Sequence, residues 1–228
     1  TVIGKTQDEM TIALWFCPQY GSGAYETLEL LIVSLQSVFP SSPTFEPHIT
    51  VTNNLVCKDE DDVNRILTSC VAAMQSIRAS LVKNGDSLVS FRSCSVGKKF
   101  FNKVVLDCSD NRYLVSIAQI MRELYVEVDE SSRSQRAATW VRDEFRPHLS
   151  LLYSDTYPIS QAFLRVIQQR IEDALDVQMD GVERGNDYQL RWNFYGVPAC
   201  SWGLPGTFKV VRCEGPVDQW QVLGRADV

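Results

Sequence analysis

Two histidines are all that this 228-residue chain contains, and most familiar signatures of catalysis and binding are missing from it. The seven cysteines (Cys17, Cys57, Cys70, Cys94, Cys108, Cys200 and Cys213) are odd in number and form no Cys-x-x-Cys pair. That pattern excludes the usual structural zinc sets and argues against a disulfide framework; it fits free, mostly buried thiols in a reducing compartment. The chain has no Gly-x-Gly-x-x-Gly and no phosphate-binding glycine loop. Gly21-Ser22-Gly23 lacks the spacing of a nucleophile elbow. No run of 18 apolar residues occurs, so no transmembrane helix is expected. The stretch from Thr1 to Glu9 lacks the apolar core of a signal peptide. Met10 is read as the biological start and residues 1–9 as a leader. The cytoplasm is then the default location, with peripheral attachment to internal membranes left open. Basic charge is scarce as well. A net charge of −6 argues against duplex DNA or long RNA as a partner, because either needs a broad basic face. A small anionic substrate held by a few local donors remains compatible with it.

What the chain does have is a phrase used twice. Phe45-Glu46-Pro47-His48-Ile49-Thr50-Val51 returns as Phe145-Arg146-Pro147-His148-Leu149-Ser150-Leu151, 100 residues later, and takes up both histidines. Two imidazoles are the least equipment needed for one general base and one general acid near neutral pH. On a strand, alternation turns His48, Thr50 and Thr52 to one face, and His148, Ser150 and Leu152 likewise. Imidazole and hydroxyl then stand about 6–7 Å apart along the strand, a spacing that suits two contacts on one phosphate. A single strand histidine is more often a hydrogen-bonded core residue. Two in the same context, with none elsewhere, weaken that reading, although a duplication retained for packing alone stays open.

With 45% hydrophobic residues the chain has material for a real core, in one large domain or two lobes. The reading in order begins with a near-continuously apolar strand at Thr11–Phe16, then a helix from about Ala24 to Phe39. The first motif strand, His48–Thr52, follows. Asp59-Glu60-Asp61-Asp62 favours the positive end of a helix that runs to about Ser80, and Lys83–Asp86 is a turn. Strands are expected near Leu88–Cys94 and Phe100–Cys108. A helix at Asn111–Tyr125, with Leu124 facing inward, is capped by Asp110 or Ser109. Residues 127–138 are expected as a mobile loop, either a solvated linker or a lid. The second motif strand, His148–Tyr153, precedes a helix at Ile159–Val177 with Phe163 on its inner face, a turn at Gly181–Asn186, and strands near Tyr188–Tyr195, Thr207–Arg212 and Trp220–Val222. The expected fold is α+β and pseudo-symmetric, with the two motif strands lining a central cleft.

His48-Ile49-Thr50-Val51 and His148-Leu149-Ser150-Leu151 resemble the paired His-apolar-Thr/Ser-apolar motifs of the 2H phosphoesterases. Ala13-Leu14-Trp15, Arg65-Ile66-Leu67, Ser95–Lys99 and Gly206–Pro216 are similar to segments of the fungal 2′,3′-cyclic-nucleotide 3′-phosphodiesterases. The resemblance covers nearly the whole chain from Met10, so residues 10–228 are expected as one bilobal domain. It implies two mainly antiparallel sheets with helices outside, the chain termini meeting in one lobe. The implied reaction is metal-independent, cofactor-free hydrolysis of nucleoside 2′,3′-cyclic phosphates to 2′-phosphates. The family's wider role adds ADP-ribose 1″,2″-cyclic phosphate, from tRNA splicing, going to the 1″-phosphate. His148 is assigned as base and His48 as acid, with Thr50 and Ser150 donating to the nonbridging oxygens. Tyr153 matches a position beside the phosphate; a solvated strand-end hydroxyl is the competing reading. Trp15, Phe100 and Phe101 are candidates for base or wall contacts, or simply core. Lys98 and Lys99 are candidates for attracting a second phosphate, or solvated charges. A monomer acting on a small nucleotide is expected. An RNA-end-processing enzyme of the same group and a non-catalytic nucleotide-phosphate-binding module are the alternatives.

Overall fold

A computed structural model describes residues 11–85, 87–127 and 131–228. The proposed leader, the start at Met10, Asp86 of the expected turn and residues 128–130 of the expected loop lie outside them. The first strand, β1 (Ile12–Pro18), is buried along its whole length because its two faces serve different clusters. Ile12, Leu14 and Phe16 enter the main core, while Ala13, Trp15 and Cys17 join Val211 on the other side. Helix α1 (Gly23–Val38) starts at Ser22, whose side chain accepts from the Tyr25 amide, and buries Leu28, Leu31, Ile32 and Leu35. β2 (Ile49–Thr52) carries the first motif. α2 (Glu60–Asn84) is capped by Asp59, with three acidic residues in its first turn, as the charge run implied. It runs past the expected end to Gly85, which takes a left-handed φ of 64°.

β3 (Phe91–Gly97) and β4 (Val104–Cys108) follow. Phe100 and Phe101, expected on a strand, lie instead in a 3-10 turn at Phe100–Asn102. α3 (Arg112–Tyr125) is capped by Asn111, not by Asp110 or Ser109, and its Leu124 is exposed. The largest departure is α4 (Arg133–Asp143), which occupies residues 133–138 of the expected loop. Its inner face is carried by Ala137, Trp140 and Val141, a single turn's worth of apolar positions and too short to register as a period. β5 (His148–Leu152) carries the second motif, and α5 (Gln161–Leu175) buries Leu164, Ile167, Ile171 and Leu175 while leaving Phe163 largely exposed. β6 (Gln178–Glu183), unanticipated and overlapping the expected turn from Gly181 onward, precedes β7 (Tyr188–Tyr195), β8 (Gly206–Arg212) and β9 (Gln221–Asp227).

These strands form one nine-stranded sheet in the order β6-β7-β3-β4-β5-β2-β1-β8-β9, with the paired neighbours antiparallel. The α+β class therefore holds, but the two separate sheets expected do not. A single backbone pair, Ile49 with Leu149, joins β2 to β5 and makes the halves continuous. One half is built from β1, β2, β8 and β9, hence from both ends of the chain, and the other from its middle. The two motif strands lie side by side at the centre. Their core-facing residues, Ile49, Val51, Leu149 and Leu151, are wholly buried beneath the helices.

Each motif strand carries an irregularity at the equivalent place. Between Leu14 and Trp15 the partner on β2 jumps from Thr52 to Thr50, leaving Val51 as the extra residue. Between Val104 and Val105 the partner on β5 jumps from Leu152 to Ser150, leaving Leu151. A bulge of this kind reverses the alternation beyond it. Leu152 consequently enters the core instead of sharing a face with His148 and Ser150, whereas Thr52 still lines the same cavity as His48 and Thr50.

Candidate active site

The repeated phrase builds both histidines in the same way. His48 Nδ1 lies 2.8 Å from the carbonyl oxygen of Glu46, and His148 Nδ1 lies 2.9 Å from that of Arg146. A carbonyl only accepts, so each Nδ1 carries the proton and donates it. In the neutral ring Nε2 is left as a lone pair, and in the charged ring as an N–H. Both histidines line one cleft of about 670 Å³, together with Thr50, Ser150, Tyr153, Trp15 and Phe101. Of the residues singled out beforehand, Phe100 stands behind this lining, its ring 5.9 Å from Tyr153. Lys98 and Lys99 are exposed and outside the lining.

The surroundings of the two imidazoles differ. Trp15 pairs across from Thr50 and stacks its indole on His48, ring centres 3.6 Å apart and planes 13° from parallel. Phe45 closes another side edge-on at 6.1 Å. His48 is therefore buried, and burial drives its pKa down from 6.5 to about 4, opposed by the Glu46 carbonyl and reinforced by positive charge on His148 and Lys209. The position that Trp15 holds in one half is held by Val105, opposite Ser150, in the other. No indole covers that side, and His148 is only partly buried.

Ser150 Oγ donates to the Phe101 carbonyl at 3.2 Å, so its proton must turn from that oxygen to reach a bound anion. Beyond the bulge, Tyr153 is aimed into the cleft, and its counterpart 100 residues earlier, Asn53, lines the cleft as well. The Tyr153 ring stacks on Phe45 at 4.0 Å. Burial, partly offset by the Ser150 hydroxyl, pushes its phenol above the ordinary range and keeps it a protonated donor.

Several lining residues escaped the sequence reading. Trp220, just before β9, stands 5.9 Å from Phe101 with the rings 26° from parallel, and 6.1 Å from Trp15. A tryptophan in a Gly- and Pro-rich connection was the available signal. Arg122, Trp140, Glu144 and Arg146 line the cleft as well. Arg122 packs over the Trp140 ring at 4.4 Å, donates to Thr52 Oγ1 at 3.4 Å, and pairs with Glu127 at 3.4 Å. The cleft thus holds an aromatic cluster of Phe101, Tyr153 and Trp220, and a second group in which Arg122 and Trp140 are in contact. All seven cysteines are free, and five are buried. Cys213 lines the cleft, but burial pushes its thiol up to about 11 and leaves it a poor nucleophile. Among the described residues no three His, Cys, Asp or Glu side chains are grouped as metal ligands would be, and no helix is long and apolar enough to cross a membrane.

Paired imidazoles with their outer nitrogens free, hydroxyls two residues beyond each, and a lining of aromatic rings are the equipment for acid–base chemistry on a phosphate ester. The proteins that this chain resembles bear the names of enzymes acting on phosphate esters. A protein of Saccharomyces cerevisiae named 2′,3′-cyclic-nucleotide 3′-phosphodiesterase is 57% identical, over 96% of this chain and 100% of its own length. Proteins of the same name from Eremothecium gossypii and Kluyveromyces lactis are 44% and 43% identical, each over 96% of this chain and 100% and 99% of their own lengths. A family model described as cyclic phosphodiesterase-like protein matches residues 10–228, and with it the two motifs and every cleft residue named above: the chain belongs to that family.

Proposed function

We propose that this protein hydrolyses nucleoside 2′,3′-cyclic phosphates to 2′-phosphates, and ADP-ribose 1″,2″-cyclic phosphate to ADP-ribose 1″-phosphate, without a metal ion. The observation that carries the reading is the facing pair of motifs. Each offers one Nε2 and one hydroxyl to a single cleft, and each imidazole is fixed through Nδ1 by a backbone carbonyl. The names of the relatives support the cyclic phosphate as substrate class. The sheet acts in this proposal as two lobes meeting at β2 and β5, each contributing one half of the phosphate site.

The sequence reading put the base at His148 and the acid at His48. The burial of His48 favours the reverse, because a histidine held near pKa 4 is neutral at pH 7 and has a lone pair ready on Nε2. His48 takes a proton from water as the oxygen attacks phosphorus. The bond from phosphorus to O3′ breaks, its electron pair stays on O3′, and that oxygen takes the Nε2 proton of His148. Being partly exposed, His148 reloads from solvent. Thr50, Ser150 and Tyr153 donate to the nonbridging oxygens, where charge builds in the transition state. Trp220 and Phe101 form the wall nearest the nucleobase.

Turnover of 2′,3′-cyclic AMP in the presence of EDTA, with 2′-AMP and 3′-AMP resolved, tests the reading. We expect 2′-AMP at an undiminished rate, and loss of about 10²-fold or more in kcat for His48→Ala and for His148→Ala. A 3′ product would overturn the leaving-group assignment. Tight binding without turnover would make the protein a binding module, and survival of activity in either variant would remove that histidine from the mechanism.

A further inference from the structure

The two copies of the motif differ at the residue before proline, Glu46 in one and Arg146 in the other. Each lends its carbonyl to a histidine, but their side chains are held differently. Both carboxylate oxygens of Glu46 accept from Lys209 Nζ, at 2.9 and 2.8 Å. The pair is largely shielded from water, with side-chain exposures of 15% and 26%. Arg146 merely donates to the carbonyls of Phe145 and Arg142, on its own stretch of chain. Lys209 comes from β8, where it pairs directly across from Trp15, the residue whose indole stacks on His48.

A closed ring of contacts results. Lys209 holds the Glu46 side chain, the Glu46 carbonyl holds His48 Nδ1, the His48 ring lies on Trp15, and Trp15 sits beside Lys209 on the neighbouring strand. Lys209 is not among the residues lining the cleft, so it has no direct route to substrate. We propose that Lys209 is a positioning residue: its ion pair with Glu46 locks the peptide that fixes the tautomer and orientation of His48, a lock that His148 lacks. The inference rests on the histidine pair being the catalytic apparatus. The lock matters because proton transfer requires the donor and acceptor atoms aligned at hydrogen-bond distance, and a 1 Å displacement can cost about 10²-fold in rate. Its positive charge also helps to keep the His48 ring neutral.

The test compares the full-length wild type with Lys209→Met, Lys209→Arg, Glu46→Gln and the double variant Lys209→Met/Glu46→Gln. The readouts are kcat and KM for 2′,3′-cyclic AMP and the Nδ1–H signals of ¹⁵N-histidine-labelled protein. With two histidines in the chain, only two such signals exist to assign. Lys209→Met should lower kcat by about 10–100-fold at unchanged KM. Its His48 Nδ1–H signal should be lost to exchange while that of His148 persists. Lys209→Arg should recover most of kcat, and the double variant should be no worse than Lys209→Met. A raised KM at unchanged kcat would make Lys209 a substrate contact and overturn the proposal. So would additive losses in the double variant, or an undisturbed His48 signal in both Lys209→Met and Glu46→Gln. If Lys209→Met fails to fold, Glu46→Gln and Lys209→Arg decide by the same readouts. Should the wild type not turn over the substrate, the hydrolysis reading fails, and the two Nδ1–H signals still decide whether Lys209 orients His48.

Discussion

At the scale of single residues, two histidines written into the same phrase differ chemically because of what lies across the strand from them. Trp15 opposite Thr50 gives His48 a roof, whereas Val105 opposite Ser150 gives His148 none. The roof has a consequence for stability. Folded His48 stays neutral down to about pH 4, while in the unfolded chain it takes up a proton near its ordinary value of 6.5. Between those values the unfolded state binds more protons, so acidification favours unfolding. The stability linked to His48 is whole above pH 6.5 and is lost as pH falls toward 4, by about 3 kcal/mol. Urea unfolding of wild type and His48→Gln at pH 7 and at pH 4.5 measures it. The variant should lose distinctly less stability on acidification, and an equal loss in both would show that His48 is not held neutral.

At the scale of elements, the turn between β3 and β4 connects packing to the site. Gly97 ends β3 where a Cβ would meet the Asn102 carbonyl oxygen at 2.0 Å. That turn carries Phe101 and Asn102 into the cleft and supplies the carbonyl that holds Ser150. Gly97→Ala should therefore push the turn outward, cost about 1–3 kcal/mol, and raise KM more than it lowers kcat. Urea midpoints and steady-state kinetics check both, and an unchanged KM would separate the turn from substrate binding. The same elements show what a sequence can convey. Alternation in Ile49-Thr50-Val51 and Leu149-Ser150-Leu151 was enough to place both His–hydroxyl pairs in one cleft. Parity fails past Leu151, because a bulge depends on the partner strand, and the sequence of one strand does not contain it. Tyr153 was picked out by resemblance, and only the bulge explains why it faces the cleft. Helix α4 was illegible for another reason. With only Ala137, Trp140 and Val141 turned inward, it owes its place to the packing of Trp140 under Arg122 of α3, a contact between segments that are separate in the chain.

At the scale of the molecule, the central fact is how thinly the halves of the sheet are joined. One backbone pair links β2 to β5, and its two residues, Ile49 and Leu149, are wholly buried. In the proposed reading a phosphate bound in the cleft lies over that join, with Thr50 donating from one half and Ser150 from the other. A ligand that binds only the folded state stabilises it by RT ln(1 + [L]/Kd), about 2.7 kcal/mol at a hundredfold excess over Kd. With both halves contributing donors as proposed, 2′-AMP should raise the thermal midpoint of the whole chain in one cooperative transition. Thr50→Ala and Ser150→Ala should each shrink that rise, and the double variant should nearly abolish it. Calorimetry at a fixed 2′-AMP concentration separates the possibilities. If one variant keeps the full shift, the phosphate is held from one half alone, and the site is not shared between the two motifs. If 2′-AMP splits the transition in two, the halves unfold independently, and the single pair at Ile49 and Leu149 is too weak to couple them.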